Sequence, residues 1–168
     1  MRTLGQNGLD LIQHFEGCRL TVYLDSAGLE TVGTGHLVTP QDNLHLGDTI
    51  TQAEADAFLE QDLSAAVACV DAHCPNLPTR NARAALVSLA FNIGCTAFAN
   101  STLEKLVNAG DMNGASEQFQ AWTRAGHTHP RGILIRRLTE RDLFLAPDGP
   151  MPDGWLTAHN NVEVTDGH

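Results

Sequence analysis

Early in the chain two carboxylic acids and a hydroxyl stand at short intervals: Glu16, then Asp25 nine residues on, then Thr31 six residues after that. Glu16 lies where an apolar-faced segment meets a glycine, in Phe15-Glu16-Gly17. Asp25 opens the turn-forming run Asp25-Ser26-Ala27-Gly28, and Thr31 follows in an extended stretch. Separated acids beside a hydroxyl suit glycoside hydrolysis. One carboxyl protonates the leaving oxygen, and a second group activates or stabilises from the other side. The strand between the acids holds them apart yet lets both face one cleft. Such a separation leaves room for a water and fits an inverting enzyme, whose carboxyls stand about 6.5–9.5 Å apart. Next to Phe15, Glu16 is expected to be partly buried, which favours the protonated acid. Asp25, in a wetter turn, is expected to stay ionised, and Thr31 to hold the attacking water. On spacing alone, the three residues also fit an ordinary solvated helix end and surface turn.

The elements that must position these groups follow from apolar periodicity. Leu4, Leu11, Ile12 and Phe15, with Leu9 beside them, predict a short helix over residues 4–15, closed by Gly17. Leu20–Leu24, Leu29–Val32 and Leu37-Val38 predict the strands of a small antiparallel sheet. The period then changes. Thr51-Gln52-Ala53-Glu54 is a capping box that opens one long helix. Its apolar face runs through Ala55, Phe58, Leu59, Leu63, Ala66, Val67 and Val70, and Pro75 and Pro78 close it. Thr79 caps a largely apolar helix that Gly94 ends. Ser101-Thr102-Leu103-Glu104 is a second capping box; Gly110 ends its helix, and Asp111 begins another that carries Phe119 and Trp122. A last helix is predicted from Gly132 to Leu145, and the Pro-Asp-Gly repeats beyond it mark a loop or tail. Strands and helices are segregated along the chain. The predicted class is therefore α+β: a small antiparallel sheet lobe and a larger helical lobe, joined by a long helix, with a cleft between them.

Composition narrows the function. The chain has 168 residues, 42% of them apolar and 18% charged, which suits one folded domain and excludes disorder. No apolar run reaches the roughly 18 residues of a membrane span, and the first residues lack the apolar core of a secretory signal. A formal charge of −10 disfavours nucleic acid as a partner. Charge is also uneven: residues 20–79 hold nine acids and no Lys or Arg, whereas Arg124 to Arg141 hold five arginines and one acid. That basic stretch reads either as a solvated helix face or as a local site for a polyanion. Of the four cysteines, Cys18, Cys69, Cys74 and Cys95, none forms a C-x-x-C pair. Cys69 and Cys74 can pair only if a helix breaks between them; otherwise buried thiols are expected, with a disulfide allowed in an oxidising compartment.

The run from Phe15-Glu16-Gly17 through Asp25 to Thr31-Val32-Gly33-Thr34-Gly35-His36 resembles the signature of the phage-type lysozymes, the endolysin muramidases of glycoside hydrolase family twenty-four. Its form there is Glu, eight residues, Asp or Cys, five residues, Thr, and Glu16, Asp25 and Thr31 fit it. Ala85 to Cys95 resembles the family's central helix. Ser101-Thr102-Leu103, Leu106 to Asp111, Trp122, Ala125-Gly126 and Arg136-Arg137 fall in family order, so the likeness spans residues 4–145. It implies cleavage of the β-1,4 bond between N-acetylmuramic acid and N-acetylglucosamine in peptidoglycan. By the same analogy Glu16 is the general acid, Asp25 and Thr31 place and activate the water, and Leu37, Phe91 and Ser101 line the sugar cleft.

No cofactor or metal is needed, since two carboxyls and water complete that reaction. His127-x-His129 has no acidic or cysteine partner in sequence and is not read as a metal site. His36 is read as a structural hydrogen-bonding residue and Trp122 as core. The expected organisation is a muramidase domain over residues 1–145 and a C-terminal tail over 146–168, either disordered or a packed arm anchored by Trp155 and Leu156. The protein is expected to be a monomer, made in a host cytoplasm without a signal peptide. It would act on bacterial peptidoglycan in the periplasm or outside the cell, with the Arg124–Arg141 stretch binding the wall. Two other readings stay open: a non-catalytic glycan- or protein-binding module on the same fold, and a lytic transglycosylase, whose product is lighter by one water.

Overall fold

The computed structural model describes residues 3–124 and 130–164. Helix α1 (Gln6–Glu16) buries Leu9, Leu11 and Ile12. It stops at Gly17, whose φ of +79° is a conformation that side-chain-bearing residues rarely adopt. The Gly17 amide donates to the Gln13 carbonyl at 2.8 Å, so Glu16 becomes the last helical residue just before the chain turns into the sheet.

Strands β1 (Arg19–Leu24), β2 (Glu30–Gly33) and β3 (His36–Leu37) form an antiparallel sheet in that order. Tyr23 lies opposite Thr31, and Thr31 opposite Leu37; Val32 lies opposite His36. Opposed residues share a face and successive residues alternate. Tyr23, Thr31 and Leu37 therefore form one row, and Val32 and His36 belong to the other. Val22 and Val32 are buried with Ile50 and Ala55 in a small core beneath the sheet. The loop before Ile50 runs along the outer edge of β1, where the Val22 amide donates to Asp48 O and the Ile50 amide to Leu20 O.

Thr51 and Glu54 cap each other's backbone amides as the sequence predicts, but the long helix they open is divided. It is α2 (Gln52–Asp62) and α3 (Ser64–His73), meeting at Leu63 with ψ of −8°. Ala55 and Phe58 of α2 pack in the core beneath the sheet, whereas Leu59 of α2, Leu63 at the junction, and Val67 and Val70 of α3 belong to the main helical core. Helix α4 (Arg80–Ile93) is the centre of that core. Its residues Asn81 to Ala90 are all buried, packed between α1, α3 and α8. Enclosure on every side explains its run of alanines and leucines.

Past Gly94 the chain makes α5 (Cys95–Ala99), which the periodicity did not reveal because five residues are too few for a repeat. Helices α6 (Thr102–Asn108) and α7 (Met112–Glu117) follow, then a 3-10 turn that buries Phe119, then α8 (Arg131–Leu145). The second capping box is half formed. Ser101 Oγ accepts the Glu104 amide, but the Glu104 carboxylate accepts from Asn108 Nδ2 at 2.7 Å instead of returning to Ser101. Cys69 on α3 is disulfide-bonded to Cys95 at the start of α5, with Cα atoms 5.9 Å apart; Cys18 and Cys74 are free thiols.

After α8 the chain lies across the helical lobe as an arm. Met151, Trp155 and Leu156 pack on the main core. Asn7 Nδ2 donates to Gly149 O and Asn81 Nδ2 to Pro147 O, at 2.8 and 2.7 Å. Arg131 donates to the carbonyls of Asn160 and Val162. Among the described residues no helix is long and apolar enough to cross a membrane.

Candidate active site

Glu16, expected to be partly buried beside Phe15, has a charged partner. Its side chain is 34% exposed and its Oε1 accepts from Arg136 Nη1 at 2.6 Å, which brings α8 onto the end of α1. The Arg136 guanidinium also lies over the Phe15 ring, 5.8 Å from its centre.

Behind that contact is a buried charge network. Glu140 is wholly inaccessible and accepts from Arg136 Nε at 3.2 Å, Arg137 Nη1 at 2.6 Å and Ser88 Oγ at 2.7 Å. Arg137, equally inaccessible, also donates to Asn92 of α4. Burial pushes the Arg137 guanidinium below its ordinary pKa, and the Glu140 carboxylate beside it opposes that shift. Two guanidiniums against Glu16 and Glu140 sum to zero, the condition under which charges tolerate burial. The Arg124–Arg141 stretch is therefore divided, with Arg124 exposed and the paired arginines of α8 turned inward. Arg136 and Arg137 are internal, and Arg131 clasps the arm.

Asp25 and Thr31 lie on one hairpin and are tied through Leu29. Asp25 Oδ1 accepts from the amides of Ala27 and Leu29 at 2.8 and 2.9 Å, while Thr31 Oγ1 donates to the Leu29 carbonyl at 3.1 Å. Asp25 is half-buried; Thr31 is only 3% exposed. No hydrogen bond among the described residues joins Glu16 to either of them. Leu37, directly across from Thr31, is half exposed. Phe91 is half-buried near the end of α4. Ser101 is buried; its hydroxyl donates to Phe98 O at 2.6 Å and accepts the Glu104 amide, so it fastens the start of α6.

His36 has the hydrogen-bonding surroundings read for it. Its ring is stacked on Phe58 with centres 4.0 Å apart, Nδ1 is 3.0 Å from Asp62 and Nε2 is 3.3 Å from Asp42. Trp122 is half-buried against the helical core. Ala125, Gly126, His127 and His129 lie outside the described residues. A groove of about 900 Å³ opens elsewhere, between the arm and the starts of α1 and α4, lined by Asn7, His14, Asn81 and Trp155 among others. Glu16, Asp25 and Thr31 do not line it.

Sequence reasoning did not find Ser88, Asn92 and Glu140 as the support for Glu16. A signal was available: Glu140 is the lone acid among five arginines, at the i+4 and i+3 positions that put it beside Arg136 and Arg137 on a helix.

The chain is similar to known proteins. The family described as phage lysozyme matches residues 13–140. An endolysin from Acyrthosiphon pisum secondary endosymbiont phage 1 is 41% identical over 145 residues, covering 84% of this chain and 97% of the relative. The endolysin of Salmonella phage P22 is 35% identical over 147 residues, covering 87% of this chain and all of the relative. A crystal structure of a P22 lysozyme mutant superposes with a TM-score of 0.77 at 34% identity, over 87% of this chain and all of the other.

Proposed function

The chain belongs to the phage lysozyme family and is a peptidoglycan-hydrolysing enzyme, and from that premise we propose that it cleaves the β-1,4 bond between N-acetylmuramic acid and N-acetylglucosamine with inversion. Glu16 is the proton donor to the glycosidic oxygen. Arg136 holds Glu16 through Oε1, which fixes the direction in which Oε2 meets the bond. Asp25 is the base, and the state of its carboxylate carries the reading: one oxygen is held by two backbone amides, so the other is the one presented to a water. The Thr31 hydroxyl donates its hydrogen bond to Leu29 O, so its oxygen is left to accept one. A water donating one proton to Asp25 and the other to Thr31 turns its lone pairs toward the anomeric carbon.

Leu37 and Phe91 form apolar walls against the sugar faces, and Ser101 acts at one remove by anchoring α6. The enzyme works on the wall from the periplasm or from outside the cell. Glu16→Gln should abolish clearing of purified sacculi while the circular dichroism spectrum stays native. The new reducing ends should be N-acetylmuramic acid, appearing first as the α-anomer. Undiminished clearing by Glu16→Gln removes Glu16 from this role, a first-formed β-anomer refutes inversion, and 1,6-anhydro ends would make the enzyme a transglycosylase.

A further inference from the structure

The disulfide corner holds more than two sulfurs. Cys69 and His73 stand four residues apart on α3 and so share one helix face. Cys95 meets them from the start of α5. One ligand atom from each of Cys69, His73 and Cys95 lies within 4.8 Å of the others. His73 Nδ1 is also 4.0 Å from Glu104 Oε1 on α6, and Asn108 Nδ2 donates to the His73 carbonyl at 2.8 Å, which ties α6 to the end of α3. Two thiols and an imidazole drawn from two helices, with a carboxylate beside the ring, are the donor set of a tetrahedral site for a thiophilic divalent cation.

We propose that this corner has two mutually exclusive closures, the Cys69–Cys95 disulfide and a zinc-type cation held by Cys69, His73 and Cys95, with Glu104 adding negative charge beside the ring. The cation closure requires reduction. Two equivalents of a thiol, RSH, convert the disulfide to two cysteine thiols and give RSSR. The cation then displaces both thiol protons and binds two thiolates and the neutral imidazole. The Cα separation of 5.9 Å suits a disulfide and also lets the freed sulfurs part to about 3.8 Å, the spacing of tetrahedral ligands at about 2.3 Å from zinc. Under reducing conditions the cation clips α3 to α5; under oxidising conditions the disulfide does. Cys18 belongs to the sheet lobe and takes no part.

Cobalt(II) tests the proposal. The full chain, reduced with a phosphine and titrated anaerobically, should bind one equivalent and develop a sulfur-to-cobalt charge-transfer band with the visible bands of a tetrahedral ion. Zinc should displace it, and the oxidised chain should show neither band. His73→Ala changes a side chain that is 42% exposed at a helix end, so the fold should persist, while cobalt binding weakens at least about tenfold. Zinc should also shield Cys69 and Cys95, but not Cys18, from iodoacetamide, read by peptide mass spectrometry. The proposal is overturned by the lack of a charge-transfer band, by a band that His73→Ala leaves unchanged, or by alkylation of Cys69 and Cys95 that zinc does not slow.

Discussion

Replacing Glu140 with glutamine tests the argument that a neutral charge cluster holds Glu16 in place. The side chain keeps its shape and loses its charge. Arg136 and Arg137, 6% and 0% exposed, then face Glu16 alone, and a cluster summing to zero becomes one of net +1. A unit charge pair at the 2.6 Å separation of Arg137 Nη1 and Glu140 is worth about 6 kcal/mol at an effective dielectric of about 20. Relief of the carboxylate's own desolvation offsets part of it, and breaking one partner of a buried pair costs about 3–5 kcal/mol net. Against a total stability of about 5–15 kcal/mol, Glu140→Gln should fold but melt about 6–20 °C lower. Urea unfolding followed by circular dichroism gives the number, with the m-value unchanged. Removing both partners, as in Arg137→Met/Glu140→Leu, should destabilise less than Glu140→Gln, because no charge is then stranded. A loss below about 1 kcal/mol for Glu140→Gln, or a double variant worse than the single one, would refute the reasoning.

Other perturbations read different parts of the molecule. Gly8→Ala adds a Cβ 2.9 Å from the Ala84 Cβ and 2.6 Å from Leu4 Cγ, so overpacking of about 1–3 kcal/mol should exceed the helix-propensity gain of about 1 kcal/mol. A raised melting temperature would contradict that close approach of α1 to α4. Cys95→Ser, assayed without metal, opens a loop of 26 residues and should cost about 3.5 kcal/mol on the chain-entropy account; urea midpoints that match the oxidised parent would exclude it. Burial raises the Asp42 pKa, but hydrogen bonds from the Thr39 amide and hydroxyl, with His36 beside them, outweigh burial and hold it below 3.8. Its stabilisation is therefore present above pH 3.8 and is lost as pH falls through the lowered value. Asp42→Asn should flatten that acid limb in a series of melting temperatures against pH, and an unaltered limb would place it elsewhere.

Local signals were legible where their physics is local. Gly17 as a helix stop, Thr51 with Glu54 as a reciprocal cap, and the hairpin around Asp25 each depend on a few neighbouring residues, and they fall where the sequence puts them. The signature also led to Glu16, Asp25 and Thr31, although the pattern says nothing of their surroundings. What stayed hidden depends on partners distant in sequence. The bend at Leu63 falls within a continuous apolar stripe, which does not announce it. Arg136 reaches back to Glu16 across 120 residues, and Cys69 finds Cys95 across 26. Charge counts could not separate an outward arginine from an inward one; beyond Glu140 on the same helix, the difference lay in Ser88 and Asn92, which only helix packing brings to Arg136 and Arg137.

The arm has a consequence for anyone transplanting this enzyme. Residues 147–149 fasten the beginnings of α1 and α4, and residues 160 and 162 fasten the beginning of α8. A chimera that copied only residues 13–140, the block shared with the family, would carry every group named for the chemistry and none of those three moorings.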